Sequence, residues 1–139
     1  MNKSIKAKRE FAHKLFARLH EDNPHPQGEL NWTNPYTLLV AVALSAQATD
    51  IGVNKATKTL FEIVDSPQAM LDLGEEALIS HIKSIGLYRT KAANIMKTSA
   101  ILTQQHHGQV PQNREALEAL PGIGRKTANV VLHIAFGKP

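Results

Sequence analysis

The chain is 139 residues long, one domain's worth, and long enough to bury a core without covalent staples. Its 16 Lys and Arg against 12 Asp and Glu give a formal net charge of +4. The absence of cysteine excludes disulfides, thiolate metal sites, a cysteine-ligated iron–sulfur cluster and a cysteine nucleophile within these residues.

In chain order, Phe11, Leu15 and Leu19 recur every four residues between Ile5 and His20, with Ala12 and Phe16 beside them, which predicts an amphipathic helix. Pro24, Pro26, Gly28 and Pro35 mark a connecting loop. Asn34 before Pro35 reads as an N-cap with proline at the first helical position. The helix that follows, through Gln47, is apolar all round and belongs in the middle of the fold. Asp50 is expected to cap a helix running to about Val64. Ser66-Pro67 starts another that Gly74 ends, and a further helix over 75–84 is stopped by Gly86. The longest is expected from about Arg89 to His107, with Gly108 as its stop. A short helix near 114–120 leads into Pro121-Gly122-Ile123-Gly124. The last helix, 125–136, has Ala128, Val131, Leu132 and Ala135 on one side. No segment alternates with period two, so the expected fold is all-α, a helical barrel or bundle of seven or eight helices.

The longest unbroken apolar run, Leu38 to Leu44, is far too short to cross a bilayer, and the N-terminus lacks the apolar stretch of a secretory signal. A soluble, intracellular protein with no membrane contact is expected. Residues 1–20 balance to +5, residues 21–80 to −7 and residues 81–139 to +6. Basic ends flanking an acidic middle suggest a polarised surface, the footprint of a polyanion binder, although charged helix faces are often only solvated.

The segment LPGIGRKTANVV (120–131) carries the chemistry. It reads helix, Gly-x-Gly hairpin, helix, with Gly122 and Gly124 free to adopt angles that a side chain resists. The amides of Ile123, Gly124 and Arg125 at a helix start, with the positive end of the dipole behind them, make a phosphate site, and Arg125 adds charge. This is a helix-hairpin-helix pattern for gripping DNA backbone, with Thr127 in the same first turn. A P-loop does not fit, because Arg125 intervenes and no strand precedes. Gly86-Leu87-Tyr88-Arg89, 36 residues earlier, echoes the pattern and offers a second grip. Alternatively, Gly86 merely ends a helix and Leu87 fills core.

Lys126 shares a helix face with Asn129 and His133, opposite the apolar stripe. The dipole disfavours a positive charge in this first turn, and burial would disfavour it further. A partly neutral lysine is an amine nucleophile that can form a Schiff base. The competing assignment is a charged, phosphate-binding lysine. The histidines, His13, His20, His25, His81, His106, His107 and His133, have no metal-ligand spacing, so no metal site is expected.

The sequence resembles the endonuclease III family, bacterial DNA glycosylases and abasic-site lyases of the helix-hairpin-helix superfamily. The resemblance runs through NPHPQGELNW (23–32), LLVAVALSAQATD (38–50), VNKATKTLF (53–61), IKSIGLYRTKAANI (82–95) and VPQNREALEALPGIGRKTANVVLHIAFG (110–137). It implies base-excision repair of oxidised pyrimidines in damaged duplex DNA by a monomer in the bacterial cytoplasm, associated with the nucleoid. It implies that Lys126 attacks the sugar C1′, that Gln47 enters the gap left by a flipped base, and that Leu87 wedges into the base stack. Gly122, Ile123, Gly124, Arg125, Thr127 and Arg89 would hold the backbone. A filler offsets part of the cost of extruding a base.

The family's catalytic aspartate follows soon after this motif, and its four cysteines hold a 4Fe-4S cluster. Neither the aspartate nor any cysteine is found here. The resemblance therefore implies a chain with residues 1–21 as a helix belonging to the cluster-bearing domain and 22–139 as the helical barrel domain. Its helix-hairpin-helix motif lies at about 114–136, and the cluster domain is absent. Glycosylase activity of these residues alone is expected to be impaired. The alternatives are a non-catalytic DNA-binding module and, last, a helical protein-interaction domain.

Overall fold

A computed structural model describes residues 29–138, so the expected helix from Ile5 to His20 lies outside the described residues. Seven helices and no strand are found among the described residues: α1 (Pro35–Ser45), α2 (Asp50–Ile63), α3 (Pro67–Leu73), α4 (Glu75–Ile82), α5 (Tyr88–Gln105), α6 (Arg114–Glu118) and α7 (Arg125–Phe136). The all-α expectation holds, and the last helix has the bounds expected from the sequence.

The apolar helix α1 forms the centre, with Tyr36, Thr37, Leu38, Leu39, Val40, Ala41, Val42 and Leu44 buried. It packs on α2, α5 and α7, while α5 also packs on α3 and α4, and α6 rests on α7. Leu60, Met70, Leu78, Ile82, Leu102 and Leu117 complete one continuous core. Burying a side chain of this size is worth roughly 1.5–3 kcal/mol.

The start of α1 is closed by a reciprocal cap. Asn34 Oδ1 accepts from the Thr37 amide at 2.9 Å, and Thr37 Oγ1 accepts from the Asn34 amide at 3.0 Å. Ser66 caps α3 one way only, accepting from the Ala69 amide at 3.1 Å. The cap of α2 corrects the sequence expectation. Thr49, not Asp50, is the N-cap and accepts from the Gly52 amide at 3.0 Å, while Asp50 is already helical. Either residue type can cap, and the register was fixed by which one has extended backbone. Likewise α1 stops at Ser45, and Gln47 lies beyond it in a turn. At the other end of α5, Gly108 donates to the Leu102 carbonyl at 2.8 Å with φ +75, the helix stop expected there.

One polar pair sits inside the core. The Tyr36 hydroxyl lies 2.6 Å from Ser99 Oγ, and Ser99 itself donates to the Ile95 carbonyl at 2.8 Å. The serine proton is thus committed, so Tyr36 is the donor. Burial pushes the Tyr36 pKa far above the ordinary tyrosine value. A tyrosine that stays protonated in the fold but ionises in the unfolded chain stabilises the native state fully below about pH 10 and progressively less above it. Thermal melts of the wild type should therefore fall as pH rises from 10 to 11, on the order of the unfolded tyrosine's titration. Tyr36→Phe should lose that slope while costing about 1 kcal/mol at neutral pH. Equal alkaline slopes in both proteins would show that Tyr36 ionises normally in the fold.

Candidate nucleic-acid interface

Two of the seven helices begin differently from the others. Helices α5 and α7 each follow a hairpin, have no side-chain cap, and carry no acidic residue in the first turn. Helix α4 also lacks a side-chain cap, but Glu75 and Glu76 fill its first turn. Unsatisfied amides and the positive end of a helix dipole attract anions. At α5 and α7 the nearest charged side chains are basic and exposed: Arg89 in one, Arg125 and Lys126 in the other. Arg89 also lies over the Tyr88 ring, 5.4 Å from its centroid.

The second hairpin is held tightly. Gly122 has φ +78, and a Cβ there would lie 2.8 Å from Asn94 Nδ2. Thr98 Oγ1 donates to the Pro121 carbonyl at 3.2 Å, tying the hairpin to α5. Gly124, the N-cap of α7, is exposed and has open space where a Cβ would point. Ile123 departs from expectation: its amide is used by the Leu120 carbonyl at 3.1 Å, and its side chain is core. The amides without an internal partner in this hairpin therefore begin at Gly124. Thr127 is half-buried in the same turn.

The expected echo is present, but its register is different. Gly86 has no positive φ and does not correspond to Gly122; the left-handed residue of the first hairpin is Leu87, with φ +59. Leu87 is the N-cap of α5, where α7 has Gly124. Leu87 is also 64% exposed, so it is not core filling. Gln47 is exposed as well, with φ +58. These two and His107 are the non-glycine residues with positive φ among those described, and His107 belongs to the C-terminal stop of α5.

Lys126 is exposed, as are Asn129 and His133 on its face of α7. The poorly solvated amine expected at this position is not found. Among the described residues the buried lysine is Lys91, 9% exposed, which sequence reasoning missed as a site residue. Its Nζ donates to the Leu44 carbonyl at 3.1 Å and the Ala46 carbonyl at 2.6 Å. Burial lowers its pKa from the usual lysine range. The sequence signal was its place in the stripe Lys91, Ala92, Ile95, Thr98, Ser99, Leu102, all on the buried side of α5. Ala46, Lys91, Asn94, Gly122 and Ile123 line one pocket of about 170 Å³, which gathers the end of α1, the first half of α5 and the second hairpin.

Residues 40–136 match the family described as HhH-GPD superfamily base excision DNA repair protein. The chain belongs to the HhH-GPD superfamily. Within it, the chain is 60% identical over 125 residues to endonuclease III of Escherichia coli and 61% identical over 125 residues to that of Haemophilus influenzae, in each case covering 90% of this chain and 59% of the relative. Among solved structures it is similar to a trapped endonuclease III–DNA covalent intermediate, with TM-score 0.79 and 46% identity over 96% of this chain and 62% of that one. The chain thus spans about three-fifths of the length of these relatives. With no cysteine, its residues do not fit a 4Fe-4S cluster. The described residues also include no group of three or more metal-binding side chains and no helix long and apolar enough to cross a membrane.

The two hairpin glycines should respond differently to substitution. Gly122→Ala combines left-handed backbone with a clash against Asn94 and should cost about 1–3 kcal/mol in urea unfolding. Gly124→Ala has room and ordinary φ, so its stability should stay within about 0.5 kcal/mol. Equal costs would mean that the second hairpin is not seated on Asn94 as described.

Proposed function

We propose that this chain acts in base-excision repair. It binds damaged duplex DNA through the starts of α5 and α7, and uses Lys126 as an amine nucleophile on the exposed sugar. The single observation that carries the reading is the start of α7, which is uncapped and free of acid, with exposed Lys126 in its first turn. Backbone phosphate would sit against the amides from Gly124 onward, with Arg125 and Thr127 beside it. Arg89 would contact the strand from the first hairpin. Leu87 and Gln47, both exposed, would fill the stack when a base is everted.

In the proposed reaction the Lys126 amine adds to C1′ and the base departs from that carbon. At an abasic site the same amine adds to the ring-opened aldehyde, and loss of water gives an imine. Removal of a C2′ proton then expels the 3′ phosphate, so the strand is cut on that side. The substrate class, oxidised pyrimidines, and the setting of a monomer on bacterial DNA in the cytoplasm are what the resemblance to the endonuclease III family implies. In this reading residues 22–139 are the helical barrel domain. The family's catalytic aspartate is not among them, so glycosylase activity should be weak and abasic-site chemistry should persist.

One observation favours a second reading, a non-catalytic DNA-binding module: Lys126 is open to solvent, as a phosphate-binding lysine would be. Borohydride trapping on an abasic duplex separates the two. A covalent adduct that disappears in Lys126→Ala is expected. Salt-sensitive binding of the abasic duplex with no adduct in either protein would establish the second reading instead.

A further inference from the structure

Lys91 lines the pocket and has no part in that chemistry. We infer that Lys91 is a positioning residue: its side chain holds the turn that carries Gln47 in the geometry needed to fill the base stack. The inference rests on the repair reading above and adds to it a residue that touches neither DNA nor the reacting sugar.

Both candidate fillers have left-handed backbone, a conformation that costs an ordinary residue roughly 1–2 kcal/mol and persists only where the surroundings enforce it. At Gln47 the enforcing contact comes from Lys91. Its backbone amide makes only the ordinary first intrahelical bond of α5, to the carbonyl of Leu87 at 2.9 Å, so what is particular to lysine is the side chain. Its Nζ donates at 2.6 Å to the carbonyl of Ala46, which belongs to the peptide joining Ala46 to Gln47. That peptide plane is the one about which φ of Gln47 turns. A third bond, from Nζ to the Leu44 carbonyl at 3.1 Å, anchors the amine to the last turn of α1. Helix α1 has no basic residue in its own last turn, so Lys91 supplies the cation that the negative end of the dipole favours.

These bonds also argue against Lys91 as a second nucleophile. Two of its three N–H groups are committed to carbonyls, and the charged form is the better donor. A flexible link would serve packing equally well. A charged link from α5 to the peptide before Gln47 instead fixes that filler against the helix that begins just after Leu87.

The test uses this chain with Lys91→Met, Lys91→Gln, Gln47→Ala and the double variant Lys91→Met/Gln47→Ala. In free protein, amide hydrogen exchange should speed up at Ala46–Ala48 in Lys91→Met and less in Lys91→Gln, with Ala128–Leu132 of α7 unchanged. On DNA, the preference for a tetrahydrofuran abasic-analogue duplex over intact duplex should fall about ten-fold in Lys91→Met, the size expected for losing a charge-assisted hydrogen bond. Fluorescence of a 2-aminopurine facing the lesion should lose its binding response. Because both residues act through one filler, the double variant should be no more than about two-fold worse than Lys91→Met alone. Multiplicative losses, or unchanged exchange at Ala46–Ala48, would overturn the inference. If Lys91→Met does not fold, Lys91→Gln and its double with Gln47→Ala decide by the same criteria. A wild-type chain without any preference for the abasic analogue refutes the repair reading and the DNA role of Lys91 together. Wild-type preference with unaltered Lys91 variants refutes the Lys91 role alone.

Discussion

A helix with no polar side has to be surrounded, and its two ends have to be closed by groups brought from elsewhere. Eight of the eleven residues of α1 are buried, so water cannot solvate its terminal peptides along its length. Asn34 and Thr37 close the start by exchanging hydrogen bonds. The end is shared. Ser45 Oγ donates to the Val42 carbonyl, the Ala48 amide to the Ser45 carbonyl, and Lys91 to those of Leu44 and Ala46. Unpaired carbonyls there would each cost about 1–3 kcal/mol. The lysine that satisfies them has to come from α5, which fixes how α5 crosses the end of α1 and where the hairpin before α5 emerges. The position of one half of the candidate interface thus follows from the burial of the central helix.

The same structure leaves other ends open. Helices α1, α2, α3 and α6 have a side-chain oxygen on their first amides. Helices α5 and α7 do not, and neither has an acidic residue nearby. Each missing cap forgoes about 1 kcal/mol of stability. An exposed leucine in left-handed backbone is a further local cost at the start of α5. Departures from locally favourable choices, concentrated at two helix starts that share basic side chains, are what a surface shaped for a polyanion requires. By contrast, Glu75 and Glu76 of the acidic middle segment fill the first turn of α4.

Much of this was legible in the sequence wherever a local rule acts alone. Asn34-Pro35 and Ser66-Pro67 begin helices because a capping oxygen and a fixed proline φ both favour the same residue. Gly74 and Gly108 end helices because left-handed backbone suits them. Between Thr49 and Asp50 the rule is ambiguous, and the choice fell on the residue whose backbone stays extended. The Ile123 amide was misjudged because a hairpin glycine on either side says nothing about which turn closes internally. The role of Lys91 was not legible. Its partners are backbone carbonyls 45 and 47 residues away, and backbone groups have no sequence signature.

The two lysines show why register decides what motif cannot. Arg-Thr-Lys-Ala after Leu87 and Arg-Lys-Thr-Ala after Gly124 look interchangeable as strings. Counted from the helix start, they are not. With Leu87 and Gly124 as N-caps, the second helical residues are Arg89 and Lys126, and both are exposed. The fourth are Lys91 and Ala128, and both are buried. A helix turns about 100° per residue, so positions two apart point to opposite sides of the first turn. The counterpart of Lys126 is therefore Arg89, a charge offered outward at each hairpin. Lys91 takes the inward place that α7 fills with a methyl group. The same side-chain chemistry, moved by two positions, changes from a group that can meet a strand to one that holds the protein's own backbone.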